Sequence, residues 1–190
     1  MKDIYLKFGN PAIKGESADK DHAGWIEIDS WSHAITQPRS ATASTAGGHT
    51  SERCEHADMV FTKDIDVVSP LIYQHASGGT TFDEVTIDFM RSDGEGNRIK
   101  YLEVKLKYVI ISSVTPSVVG EGLPSEQFSL KSAAVQWKYT QQKIGGNQGG
   151  NAQGAWSLTK NDKTYTRCNA RAHAAAPCLK GLLQRAARFA

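Results

Sequence analysis

The sequence predicts a mainly β fold, namely an antiparallel β-barrel with one short flanking α-helix and a long extended loop. Apolar and polar residues alternate with a period of two over residues 85–89 and 102–110, as in strands with one dry face. The phase of this alternation slips near Ser30 and again near Ser132, as it does where a bulge bends a strand. Two bent strands favour a sheet that closes on itself over a flat sandwich.

The first bent strand spans residues 25–39 and leads into the long loop. Ile26 and Ile28 share one face, whereas Trp31 and Ile35 fall on the opposite parity. Pro38 cannot donate to a ladder, so we expect the strand to end there. Residues 40–51 contain no large apolar side chain, and loops longer than roughly 12–15 residues in compact domains are usually functional or disordered.

One helix is predicted over residues 69–77. Ser69 is expected to cap it, Pro70 suits its first position, and the glycines at 78 and 79 suit its end. A helix this short depends on packing against a sheet. The predicted buried stripe consists of Leu71, Ile72 and His75.

The remaining strands follow from alternation and turn residues. Strands are predicted around residues 4–8 and 58–63, the latter with Met59 and Phe61 on one face. Residues 120–124 form a turn, the glycine-rich residues 145–154 a flexible connector, and residues 155–159 a last short strand. We therefore expect a β-barrel domain over residues 1–162 and a basic, weakly ordered tail over residues 163–190.

Composition and charge narrow the function class. The chain has 190 residues and no run of about 20 apolar residues, so we expect neither a transmembrane helix nor a cleavable signal peptide. Three cysteines without framework spacing favour a reducing compartment. Residues 163–190 contain six basic residues and no acid, which leaves 16 basic and 20 acidic residues in the body. Without interleaved aromatic residues, this tail is typical of a solvated extension rather than of a nucleic-acid or membrane site.

Motifs for chemistry are poor. The chain lacks a nucleophile elbow and a zincin helix motif, and Cys54 with His56 has no second ligand pair at zinc spacing. His33 and His75 are interpreted as packing or surface residues. We therefore expect no catalytic residues, no metal and no cofactor.

Several segments together resemble the haemolysin-coregulated protein (Hcp) family, the tube proteins of type VI secretion systems. The resemblance covers roughly residues 1–160 and rests on residues 14–17 (KGES), 25–32 (WIEIDSWS), 37–40 (QPRS), 43–48 (ASTAGG), 61–63 (FTK), 69–70 (SP), 77–78 (SG) and 101–113. The chain departs from the family at His33, where a second Trp is frequent, in its short turn at 120–124, and in its tail.

The resemblance implies a structural function. Hcp proteins form a β-barrel with one helix, six subunits close into a ring, and rings stack into a tube that is exported with spike proteins by a contractile sheath and carries small effectors. It implies cytoplasmic localisation before firing and secretion without a cleavable signal. It also implies that Ser32 faces the lumen, and that the long loop is an inter-subunit arm comprising Arg39, Ser40, Ala43, Ser44, Thr45, Gly47, Gly48 and Arg53.

Two other function classes stay open at the level of sequence. One is a β-barrel or jelly-roll carbohydrate-binding module, and the other is an enzyme whose site is assembled from residues distant in sequence. A sixfold monomer mass in solution distinguishes the ring from both. The tail is expected to be dispensable for folding and ring closure, and mobile unless its apolar residues, such as Leu182 and Phe189, find an apolar groove.

Overall fold

A computed structural model of the chain describes residues 3–38, 53–92, 98–118, 123–142 and 148–165. Eleven strands and one helix are found in these ranges: β1 Ile4–Phe8, β2 Ile26–Ile28, β3 Ser30–Ser32, β4 Ile35–Thr36, β5 Glu55–His56, β6 Met59–Asp64, α1 Ser69–Gly78, β7 Thr81–Ser92, β8 Arg98–Ser117, β9 Ser125–Lys131, β10 Ala134–Gln142 and β11 Gln148–Ser157. Nowhere in the described part of the chain is a helix long and apolar enough to cross a membrane.

The main sheet closes through one bent strand. Its strands follow the order β2-β1-β7-β8-β9-β6-β3, and every neighbouring pair is antiparallel. The first and last strands of this order, β2 and β3, are consecutive in the chain and separated by Asp29 alone. The Asp29 backbone N–H donates to the Thr62 carbonyl at 2.8 Å, beside the β3–β6 ladder. The predicted bend and barrel are therefore confirmed.

The longest strand, β8, has different neighbours along one of its edges. Its residues 102–107 pair with β10, and its residues 110–117 pair with β9, while β7 runs along the other edge. Tyr108, at the point of exchange, has a positive φ of 52°, a left-handed conformation that is uncommon for a bulky residue. Residues 132 and 133 interrupt the strand between β9 and β10, at the position where the second phase slip was predicted. The β10–β11 hairpin thus leaves the barrel.

The core lies on the inner face of the barrel. The predicted inward residues Val85 and Ile87 of β7 lie opposite Leu106 and Val104 of β8, and all four are buried. Such cross-strand pairs are the unit of sheet stabilisation, which is why the alternation could be read directly from the sequence. Beyond Tyr108 the prediction was wrong, because the alternation shifts by one residue there: Val109 and Ile111 are buried, whereas Ile110 is 38% exposed.

The helix is confirmed, but two details of its prediction were wrong. Val68 occupies the N-cap position without a side-chain cap bond, because the Ser69 hydroxyl instead donates to a buried Glu126 carboxylate oxygen at 2.8 Å. Leu71 is 41% exposed, whereas Ile72 is fully buried. Helix α1 packs mainly on β8, with further contacts from Ser69 to Glu126 and from His75 to Phe82, and these neighbours select the buried stripe. Gly79, with a φ of 61°, ends the helix as predicted.

The glycine-rich connector was also mispredicted. Residues 148–154 belong to β11, which ends at Ser157 rather than at residue 159. Pairing with β10 overrides the low strand propensity of this segment. Gly154 lies opposite Trp137 in the ladder, and a methyl group at this glycine would contact the indole at 3.9 Å.

A buried ion cluster joins the barrel to the start of the helix. Lys63 and Glu126 are paired across the β6–β9 ladder and both are fully buried. The Lys63 ammonium lies 2.8 Å from the Glu126 carboxylate, 2.6 Å from Asp66 and 3.2 Å from the Ser69 hydroxyl. Burial, together with the neighbouring Glu126 carboxylate, raises the pKa of Tyr73 on α1 to about 12.

We predict that Lys63→Met alone destabilises the protein by about 3–5 kcal/mol, because it leaves the Glu126 charge buried without compensation. The double variant Lys63→Met, Glu126→Leu should regain most of that loss. The matched control is Lys105→Met, which removes a partly exposed pair with Glu103 and should cost at most about 1 kcal/mol. The free energy of unfolding in urea is measured for all three variants. A double variant as unstable as the single Lys63→Met variant would contradict the prediction.

Candidate functional site

The bent strand presents one indole inward and two hydroxyls outward. In β3, the Trp31 ring packs edge-on against Phe89 with 5.1 Å between ring centroids, while Ser30 and Ser32 are exposed. Ser32 pairs with Val60 at the end of this ladder. Ser32 is therefore exposed in the single subunit, and its contact with a lumen stays a prediction.

The base of the long loop is a separate two-stranded ladder. Strands β4 and β5 pair through Ile35 with His56 and Thr36 with Glu55, and the Ala57 N–H donates to the Ala34 carbonyl at 2.9 Å. This ladder is not part of the barrel sheet. Seven of the eight predicted loop residues lie outside the described residues, and the eighth, Arg53, is exposed beside the ladder.

Three rings connect this loop base to the β10–β11 hairpin. The imidazoles of His33 and His56 lie 5.4 Å apart, and the Trp137 ring stacks near both, at 6.5 and 6.0 Å between centroids. Burial lowers the pKa of His33, and the nearby His56 lowers it further. Burial likewise lowers the pKa of His56. Neutral imidazoles therefore suit this stack.

From the sequence, His33 was interpreted as a packing or surface residue, and its ring partners His56 and Trp137 were not predicted. The alternation of apolar residues placed Trp137 on one face of β10, yet nothing in the sequence indicates that β10 crosses over the loop base. Histidines at both ends of the loop were the available signal, since a loop brings its two ends together.

Metal binding finds no geometric support in the described part of the chain. No group of three or more His, Cys, Asp or Glu side chains is assembled there. Cys54 lies two residues from His56 in the loop base and is a free, partly buried thiol.

Known proteins resemble this chain in both sequence and fold. A family model described as type VI secretion system effector, Hcp, matches residues 5–139. The chain belongs to the Hcp family. The protein hcp1 of Pseudomonas aeruginosa is 34% identical over 161 residues, which is 84% of this chain and 96% of that relative.

Solved Hcp structures share the fold. A structure described as a type six secretion system protein has a TM-score of 0.78 at 24% identity and covers 86% of this chain and all of that one. Hcp1 from Salmonella typhimurium has a TM-score of 0.66 at 23% identity, with 86% and 100% covered. Hcp1 from E. coli EAEC 042, as a double mutant, has 0.67 at 25% identity, with 83% and 99% covered.

Family and fold together make this Hcp chain a type VI secretion tube protein. They agree with the resemblance carried by the sequence motifs. Nothing found in the family, the relatives or the fold supports a carbohydrate-binding module.

We predict that acidification lowers the free energy of unfolding of this Hcp chain through protonation of His33 and His56. Because both pKa values are lowered in the folded state, the unfolded chain binds protons first below its value of about 6.5. Stability from the pair is therefore present above that pH and is lost as pH falls through the lower folded values.

The measurement is the free energy of unfolding in urea between about pH 8 and pH 5. The double variant His33→Gln, His56→Gln should show a shallower fall than the unaltered chain, with similar stability at the alkaline end. Equal slopes for the two proteins would contradict the prediction.

Proposed function

We propose that six copies of this chain close into a ring, and that rings stack into the exported inner tube of a type VI secretion system. The single observation that carries the proposal is the match of residues 5–139 to the Hcp family. Support also comes from the closed barrel, since such a body leaves few sheet edges open to uncontrolled pairing. Head-to-tail contacts between unlike surfaces generate closed rings of this kind.

The long loop is proposed as the arm that contacts a neighbouring subunit. Residues 40–51 lack large apolar side chains, so a partner surface rather than the chain's own core must order them. The β4–β5 ladder holds the two ends of the loop together outside the barrel sheet. A loop attached in this way can reach outward without disturbing the barrel.

The proposed partners and location follow from the same role. The proposed partners are further copies of the chain, the spike and sheath proteins of the system, and small effectors carried in the lumen. The proposed role involves no nucleic acid, no membrane insertion, no cofactor and no catalysis. The protein is cytoplasmic before firing and extracellular afterwards.

Native mass spectrometry tests the ring directly. We expect a species of sixfold monomer mass at about 10–50 μM, a range that detects subunit contacts of micromolar affinity. A variant that ends after Asp162 should form the same ring, because the family match ends well before that residue. Monomer alone at these concentrations, for the full chain, would sink the proposal.

A substitution at Ser32 tests the lumen. Ser32→Gln adds bulk at an exposed position of β3 without removing a core contact, so the ring should persist while co-purifying effector proteins decrease severalfold. Ser30→Gln, exposed on the same strand, is the matched control for a general surface change. Unchanged effector recovery with Ser32→Gln would place cargo contact elsewhere.

A further inference from the structure

A groove separates the loop base from the β10–β11 hairpin. Its volume is about 560 Å³, and its lining includes Ile35, Cys54 and His56 on one side and Trp137 and Trp156 on the other. Ile35 is 53% exposed there. The lining contains no acidic side chain and one cation, Lys163. The chemistry of the groove therefore suits an apolar segment rather than an ion.

The walls of the groove carry hydrogen-bonding capacity that the described residues leave unused. The Trp156 indole N–H is buried, and no described residue accepts from it. Within the same described ranges β11 pairs with β10 alone, apart from a bridge between Ser157 and Asp162. Its ten residues carry no charge and no proline, the usual protections of an open edge. An occupant with free backbone groups would pair with the open edge of β11.

The chain's own C-terminal segment begins at this groove. Lys163 lines the groove, and two residues later the Tyr165 hydroxyl lies 3.4 Å from Glu84, with the Lys107 ammonium 4.6 Å from its ring centroid. The chain is therefore held against the barrel at Tyr165, with 25 residues still to follow. The 14 residues from there to Leu179 can span about 45 Å when extended, so they can turn back to the groove.

The composition of that segment matches the groove. Residues 166–190 contain no acid, and their long apolar side chains are Leu179, Leu182, Leu183 and Phe189. Burying one such side chain contributes about 1.5–3 kcal/mol, whereas an exposed ion pair contributes about 0–1 kcal/mol. Apolar contact is thus a stronger source of binding at this groove than ion pairing by the arginines of the segment.

We propose that residues 179–189 dock in the groove of their own subunit and cover Ile35, Trp137 and Trp156. The segment is an intramolecular cover for an apolar surface beside the long loop. The proposal goes beyond the tube function and does not depend on ring formation.

Native cysteines provide the test. In the full chain with Cys168→Ser and Cys178→Ser, Cys54 is the remaining thiol, and it lines the groove. Its alkylation by N-ethylmaleimide should be about tenfold slower than in the same protein carrying Leu182→Ser, Leu183→Ser and Phe189→Ser, since a docked state populated near 90% gives that protection. The matched control, Arg185→Gln with Arg188→Gln, should keep the slow rate.

A second variant and a cross-link keep the outcome decisive. Ile35→Ser, on the groove side, should speed alkylation while circular dichroism stays unchanged. In a Cys168→Ser background, mild oxidation should join Cys54 to Cys178 within one chain, as peptide mass mapping reports. Equal alkylation rates with and without the apolar tail residues would overturn the proposal. A disulfide formed only between chains, or protection that is lost on dilution alone, would assign the groove to a second copy and overturn it too.

Discussion

The barrel depends on one constraint, which is that a strand of seven residues must serve two neighbours in succession. Residues 26–28 pair with β1, residues 30–32 pair with β6, and Asp29 is the single residue between them. A shift of one residue in either ladder would send the side chains of that half to the opposite face. Ile28 and Trp31 could then no longer both lie against the core, so the bend at Asp29 sets the register on both sides of the closure.

The buried ion cluster lies close to the same closure. Lys63 occupies an inward position of β6, which pairs with the closing strand, and Glu126 occupies an inward position of β9, the next strand in the sheet. An apolar pair at these positions would fill the core equally well. The charged pair additionally engages Asp66 and Ser69, at the entrance to α1. We infer that it orients the chain where strand becomes helix, which apolar side chains cannot do.

Sequence alone predicted the elements whose determinants are local. The β7–β8 hairpin and both bends follow from parity, and the family followed from motifs such as residues 25–32. The inward position of Lys63 was also readable, because it shares the parity of Phe61, but parity does not reveal a charged partner 63 residues away. Leu71 and the strand character of residues 148–154 were mispredicted because tertiary neighbours, β8 for the helix and β10 for β11, decide them.

The exchange of neighbours along β8 has a mechanical consequence for the loop. Because β10 leaves the barrel where β9 remains in it, the β10–β11 hairpin lies over the β4–β5 ladder and contacts it through Trp137, His33 and His56. Strands β4 and β5 have no ladder with the barrel among the described strands. A partner acting on the loop therefore reaches the hairpin through these three rings, and it reaches the barrel through the two residues that join β3 to β4 and the two that join β5 to β6.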